Sequence, residues 1–133
     1  MKNKIVLLLV LGLTTIAGIR FATPTHKAPT NPIIEVDWSV EDSKAYAQDM
    51  LSEWQYKEWL CLNKLWTKES NWRPNAYNKV KVMGKNAGGI PQLLGLDPKT
   101  PPTLQIDRGL SYIYYRYNTP CKAWKFFNKN GYY

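Results

Sequence analysis

Histidine is nearly absent from this sequence, and cysteine is rare. The one histidine, His26, lies in a proline-rich stretch near the N-terminus, which excludes a histidine-based catalytic dyad in the rest of the chain. Two cysteines without histidines beside them, Cys61 and Cys121, cannot form an ordinary four-ligand zinc site. We therefore expect neither a bound metal nor another cofactor.

Long apolar runs are also lacking, except for one at the N-terminus. Lys2 and Lys4 precede the uncharged residues 5–19, and Arg20 follows them. As a helix this run would span about 22 Å, less than the roughly 30 Å of a bilayer core, so it favours a secretory signal over a lasting transmembrane helix. No obvious cleavage site follows, so membrane anchoring through residues 5–19 is the alternative. We predict a protein that is secreted or anchored on the outer side of the cytoplasmic membrane.

Prolines mark the next boundary in the chain. Residues 21–32 contain three of them and show no apolar periodicity, which is typical of a flexible tether. The remaining length suits one compact domain with its own core. We predict a signal peptide or anchor at 1–22, a linker at 23–36 and one domain at 37–133.

Acidic residues are scarce in the second half of the chain. Residues 70–133 contain ten Lys and Arg but only Asp97 and Asp107 as acids, and the whole chain carries a net charge of +8. Such a surface attracts polyanions. Because the sequence predicts export, we expect anionic cell-wall polymers rather than nucleic acid as partners. A surface that serves only solubility is the alternative.

Export also bears on the two cysteines. Disulfides are common in exported proteins. A bond between Cys61 and Cys121 would close a loop of about 60 residues and stabilise the fold by about 4 kcal/mol through chain entropy. We predict this disulfide, with two free buried thiols as the alternative.

No internal repeat and no strongly alternating segment is found, so we predict a mainly α domain. Capping-box spacings begin two helices, at about 40–51 from Ser39 and at about 53–69 from Ser52. A third amphipathic helix is predicted from Thr103 as its cap, and a short helix after Cys121.

Glu69 ends an apolar stripe on the second predicted helix. Leu62, Leu65 and Trp66 precede it at helical spacing. A carboxylate is costly to bury in its charged form, so its pKa should rise toward the value that a general acid needs. A solvated glutamate at a helix end is the alternative.

The residues after Glu69 could hold a sugar over this acid. Trp72 offers a stacking ring, and a glycine-rich return ends in Gln92. Glycine permits close backbone approach to a ligand, and a glutamine amide both donates and accepts hydrogen bonds.

Five ordered sequence pieces resemble one known family. They are E-S-N-W-x-P-x-A from Glu69, G-G-I-P-Q up to Gln92, G-L-S-Y-I-Y-Y-R-Y from Gly109, W-x-C-L-x-x-L-W at Trp59–Trp66, and P-C-x-A-W at Pro120–Trp124 before the terminal Gly131-Tyr132-Tyr133. Residues 54–133 thereby resemble the lysozyme-like soluble lytic transglycosylases, most closely a small exported branch. The resemblance implies a compact, lysozyme-like helical domain.

The resemblance also implies roles for single residues. Glu69 matches the family's catalytic glutamate. Four further residues match positions at the acid or in the glycan cleft: Ser70, Gln92, Tyr112 and Tyr132. Tyr133 is the alternative to Tyr132, and core packing is the alternative role of Tyr112.

The reaction depends on how many carboxylates serve the site. Hydrolysis needs a second catalytic carboxylate, about 5–5.5 Å away in retaining enzymes and about 6.5–9.5 Å away in inverting ones. The sequence shows no evident candidate for it. The resemblance implies a one-glutamate cleavage between N-acetylmuramic acid and N-acetylglucosamine that leaves 1,6-anhydro ends. We predict this reaction on peptidoglycan strands, by a monomer. The alternatives are a lysozyme-type muramidase, a non-catalytic wall-binding module and a secreted nucleic-acid binder.

Overall fold

The described part of the chain is helical at both ends and carries a small sheet in its middle. The computed structural model describes residues 38–133, so the predicted signal and linker lie outside the described residues. The elements are α1 (Val40–Met50), α2 (Tyr56–Ser70), β1 (Tyr77–Val82), β2 (Lys85–Gly88), β3 (Leu93–Leu94), α3 (Pro102–Tyr117) and α4 (Pro120–Asn130). These residues confirm the mainly α class, and within them no helix is long and apolar enough to cross a membrane.

The helix α1 begins as its sequence predicts. The Ser39 hydroxyl accepts a hydrogen bond from the Asp42 backbone N–H at 3.0 Å, and the Asp42 carboxylate accepts one from the Ser39 N–H at 3.0 Å. This capping box satisfies backbone donors that a helix start leaves free. On its inner side α1 buries Ser43 and Ala47.

The capping box predicted at Ser52 is wrong. The N–H groups of Ser52 and Trp54 instead donate to the carbonyls of Asp49 and Leu51, in a turn that continues from α1. The helix α2 therefore begins later, with Gln55 as an N-cap that makes no side-chain bond.

The helix α4 is fastened to α2 in two ways. The predicted disulfide between Cys61 and Cys121 is confirmed, with Cα atoms 4.9 Å apart. One turn before Cys61, the buried carboxylate of Glu58 accepts a hydrogen bond from the Cys121 N–H at 2.8 Å. A carboxylate at a helix N-terminus is favourable because the N–H groups there lack helical partners.

The helix α3 packs closely against the centre of the domain. It begins at Pro102, a residue favoured in the first turn, so the cap predicted at Thr103 is wrong. Ile106 and Ile113 are fully buried. A side chain at Gly109 would collide with Trp66 and Pro91, so the glycine is what permits the close approach.

The sheet was not predicted. Its strands are antiparallel in the order β1-β2-β3, and every residue of β1 is exposed. Residues 79–82 of β1 do alternate lysine and valine, but this strand signal is only four residues long and was not enough to predict a sheet.

A buried glutamine holds the loops beside the sheet. Gln105 is fully buried. Its Oε1 accepts from the Ile90 N–H at 2.8 Å, while its Nε2 donates to the carbonyls of Thr100 and Pro74 at 2.7 and 3.0 Å. One side chain thus fixes three loop segments.

The Gln105→Met variant is expected to lower the free energy of unfolding by about 3 kcal/mol, because it leaves buried backbone groups without partners. Urea unfolding measures the change. Gln48→Met, at an exposed position of α1, is the matched control and should stay near wild type. Equal stability of the two variants would contradict the role of Gln105.

Candidate active site

Glu69 lies at the C-terminal end of α2, where the apolar stripe reaches the surface. Leu62, Leu65 and Trp66 are fully buried, as predicted, and Glu69 is half-buried. Desolvation raises the pKa of the Glu69 carboxyl to about 7. Within residues 38–133 no neighbouring carboxylate adds to this shift. Near neutral pH the group therefore exists in both protonation states.

The chain turns sharply after Glu69 and places Trp72 in the core. Asn71 and Trp72 have positive φ values of 55° and 60°. The Trp72 ring is fully buried, 5.1 Å from the Trp66 ring, and its Nε1 donates to Asn63 Oδ1 at 3.0 Å. The expectation that Trp72 stacks on a sugar is wrong, because its ring is unavailable to a ligand.

Tyr133 lies close to Glu69 and joins two parts of the site. Its hydroxyl accepts a hydrogen bond from Trp66 Nε1 at 3.0 Å and donates one to the Pro91 carbonyl at 2.7 Å. Burial raises the pKa of the Tyr133 hydroxyl well above its usual value, and the negative charge of Glu69 raises it further. This hydroxyl therefore stays protonated and keeps its bond to Pro91.

A cavity of about 230 Å³ opens beside Tyr133. Its lining residues are Gln92, Leu93, Leu94, Tyr112 and Tyr133. The structure thus brings together two of the predicted cleft residues, Gln92 and Tyr112. Of the two terminal tyrosines, Tyr133 lines the cavity, whereas Tyr132 is exposed and packs its ring edge against Phe126 at 5.6 Å.

Two of the lining side chains are held by their neighbours. Gln92 Nε2 donates to the carbonyls of Gly89 and Ala76 at 2.9 and 3.3 Å. The Tyr112 ring meets the Tyr133 ring edge-on at 5.7 Å, so this residue packs within an aromatic cluster and also borders the cavity.

Ser70 points into the protein. Its buried hydroxyl donates to the Ile90 carbonyl at 2.6 Å, which ties the end of α2 to the loop that carries Gln92. A residue predicted to contact substrate is thereby occupied within the protein.

The glycines of this loop make room for protein atoms. Gly89 has a φ of 71°, and a side chain there would collide with the Gln105 amide. The backbone approach that the sequence suggested toward a sugar is made instead toward this buried amide.

The two downstream acids are engaged elsewhere. Asp97 accepts from the Lys99 N–H at 2.9 Å and borders a different cavity. Asp107 accepts from the Tyr46 hydroxyl at 3.1 Å. Neither lines the cavity beside Tyr133, and Glu69 itself is not among the lining residues; its charge reaches the cavity through Tyr133.

Gln105 and Glu58 were not predicted to matter. Gln105 holds the loop before Gln92 through the Ile90 N–H, and Glu58 holds the start of α4 through the Cys121 N–H. The sequence signal at Gln105 is a polar residue next to Ile106 on the buried side of an apolar helix. Within residues 38–133, no group of three or more His, Cys, Asp or Glu is placed to hold a metal ion.

Comparison with known proteins gave no match: no protein-family model, no curated protein and no solved structure matches this chain.

Proposed function

We propose that this protein is a lytic transglycosylase with a lysozyme-like domain that cleaves peptidoglycan outside the cytoplasmic membrane. The observation that carries the proposal is the Glu69 carboxyl, whose pKa desolvation raises to about 7 and whose charge acts on Tyr133, a lining residue of the cavity. The disulfide supports an oxidising location.

Glu69 serves as both acid and base in this reaction. Its protonated carboxyl gives the proton to the glycosidic oxygen, so that the bond from that oxygen to C1 of N-acetylmuramic acid breaks. The resulting carboxylate then takes the proton of the sugar's own 6-hydroxyl as its oxygen bonds to C1. The 1,6-anhydro ring forms, no water is consumed, and Glu69 is protonated again.

The cavity residues bind the glycan in this proposal. Gln92 is fixed through Nε2, so its Oε1 can accept a hydrogen bond from a sugar hydroxyl or amide. The rings of Tyr112 and Tyr133 offer apolar surface to a sugar face. Ser70 acts as a positioning residue, because its bond to Ile90 sets the acid against the cleft loop.

Mass spectrometry of the digestion products tests the proposal. Purified peptidoglycan treated with the protein should yield fragments with 1,6-anhydro ends, which borohydride does not reduce. Fragments that have gained one water and are reducible would make the protein a muramidase. Binding without any soluble product would make it a wall-binding module.

The cleavage rate is expected to fall as the pH rises through about 7, because the first step needs protonated Glu69. Initial rates of turbidity loss from a peptidoglycan suspension give the profile of kcat/KM, which reports the pKa of the free enzyme's acid. A fall of kcat/KM at about pH 4.3, the ordinary pKa of a glutamate, would contradict the assignment of Glu69 as the acid.

The stability of the fold should also depend on pH through Glu69. Its pKa is about 7 in the folded state but about 4.3 in an unfolded chain, so between these values the folded state binds more protons. The free energy of unfolding therefore decreases as the pH rises through this window. Glu69→Gln should be more stable than wild type above about pH 7 and equal to it below about pH 4. Urea unfolding of both proteins at both pH values checks this. The same difference in unfolding free energy at the two pH values would refute it.

A further inference from the structure

The hairpin formed by β1 and β2 exposes apolar side chains at its tip. Val80, Val82 and Met83 are 68%, 51% and 90% exposed. Val80 and Val82 lie two residues apart on β1, and Met83 begins the turn. Neighbouring apolar side chains that are exposed together and rimmed by polar residues are typical of interaction sites.

The turn itself favours a different residue at its first position. Met83 and Gly84 have φ values of 52° and 77°, as in the two-residue type I′ turn that joins hairpin strands. Asn-Gly suits this geometry, because long side chains are disfavoured in the left-handed region. Methionine therefore costs folding stability here, and local structure gives no reason for it.

Lysines lie on both faces of the hairpin: Lys85 is on the valine face, and Lys79 and Lys81 are on the opposite face. Lys79 and Lys81 alternate with the valines on β1, and Lys85 stands opposite Val82 on β2. Residues 70–96 contain no acidic residue, and the first acid that follows, Asp97, borders one cavity with Lys85, so it lies on the side of Lys85 and leaves the β1 lysines as the main charge of the tip. Lysine on an edge strand also discourages pairing with another strand, which accounts for Lys79 and Lys81 but not for Met83.

A basic collar around an apolar tip complements an anionic lipid bilayer. Lysines near such a surface attract the lipid phosphates, and short apolar side chains gain free energy when they leave water for the boundary of the acyl chains. A polyanionic wall polymer would pair with the lysines but leave the valines and Met83 in water. We propose that the hairpin Tyr77–Gly88 docks the protein on anionic membranes, with Met83 deepest.

Fluorescence from the hairpin tip tests the proposal on the full chain. Both cysteines are disulfide-bonded, so Met83→Cys supplies one thiol for an NBD fluorophore. With vesicles of phosphatidylglycerol and phosphatidylcholine, the emission should shift to the blue and be quenched by lipids spin-labelled near the headgroup. Tyr115→Cys, at an 85% exposed position of α3, is the matched control and should keep its aqueous emission. If the protein attached to the vesicles through another segment, the emission of the two labelled variants would respond in the same way.

Charge removal tests the role of the lysines. Adding Lys79→Gln and Lys81→Gln to the Met83-labelled chain should weaken its partition onto anionic vesicles about 30-fold, and vesicles of phosphatidylcholine alone should give no shift. The same emission at positions 83 and 115, or no response to anionic vesicles, overturns the proposal. A tip response to soluble teichoic acid but not to vesicles assigns the hairpin to wall polymers instead. Glycan cleavage is not part of this readout, so the result is independent of the proposed reaction.

Discussion

Release of soluble fragments from peptidoglycan is expected to slow by about 10²- to 10⁴-fold when Glu69 is replaced by glutamine. Glutamine keeps the size of the side chain but can neither give a proton to the glycosidic oxygen nor take one from the 6-hydroxyl. Because the raised pKa arises from burial, and the two downstream acids Asp97 and Asp107 are engaged in other contacts, one substitution should remove both steps. Chromatography of released fragments over time measures the rate.

Glu53→Gln is the matched control for this experiment. Glu53 is an exposed glutamate in the turn between α1 and α2, so the variant makes the same change of charge away from the cavity and should cleave at the wild-type rate. The Glu69→Gln protein should still sediment with peptidoglycan, because the cavity residues are intact. Undiminished release by Glu69→Gln would assign the chemistry to another group.

The double variant Cys61→Ser, Cys121→Ser is expected to lose about 4 kcal/mol of unfolding free energy. The disulfide joins residues 60 positions apart, and without it the unfolded chain gains conformational freedom. The Glu58 carboxylate still bonds the Cys121 backbone in the folded state, so α4 keeps one of its two fastenings. Guanidinium unfolding under oxidising conditions measures the loss.

Reduction of the wild-type protein should reproduce this loss, and the double variant should not respond to the same reductant. These two comparisons separate the bond from the effect of the serine side chains. If the reduced and oxidised wild-type proteins unfold at the same denaturant concentration, the disulfide does not stabilise the fold.

The features predicted correctly depend on local signals. The Ser39 capping box lies within one turn of chain, and the stripe from Leu62 to Trp66 follows from helical periodicity alone. The pairing of Cys61 with Cys121 needed no geometry, because the sequence contains only these two cysteines.

The predictions that failed depended on the competition for backbone hydrogen bonds. Ser52 has the sequence of a helix cap, but the turn continuing from α1 already uses its N–H. Thr103 is not the N-cap of α3, because the helix already begins at the preceding prolines, whose fixed φ suits a helix start. A capping pattern does not reveal which neighbouring carbonyls are free.

The sequence predicted which residues belong to the site better than it predicted which way their side chains point. Gln92 and Tyr112 do border one cavity with Tyr133, but Ser70 and Trp72 face inward. Which side of the turn after Glu69 a side chain occupies depends on the left-handed backbone at Asn71 and Trp72, and sequence patterns of helices carry no signal for it. The part played by Gln105 depends on loops distant in sequence, so it became visible only in three dimensions.

The fastening of α4 to α2 has a consequence for when the protein can act. Tyr133 follows α4 by three residues and pins the Pro91 loop to Trp66, one turn before Glu69. A chain with reduced cysteines lacks one of the two bonds that hold α4 against α2, so the contacts of Tyr133 are weakened. If the proposed cleavage is the reaction of this protein, its rate should be lower while the two thiols are reduced than after they are oxidised.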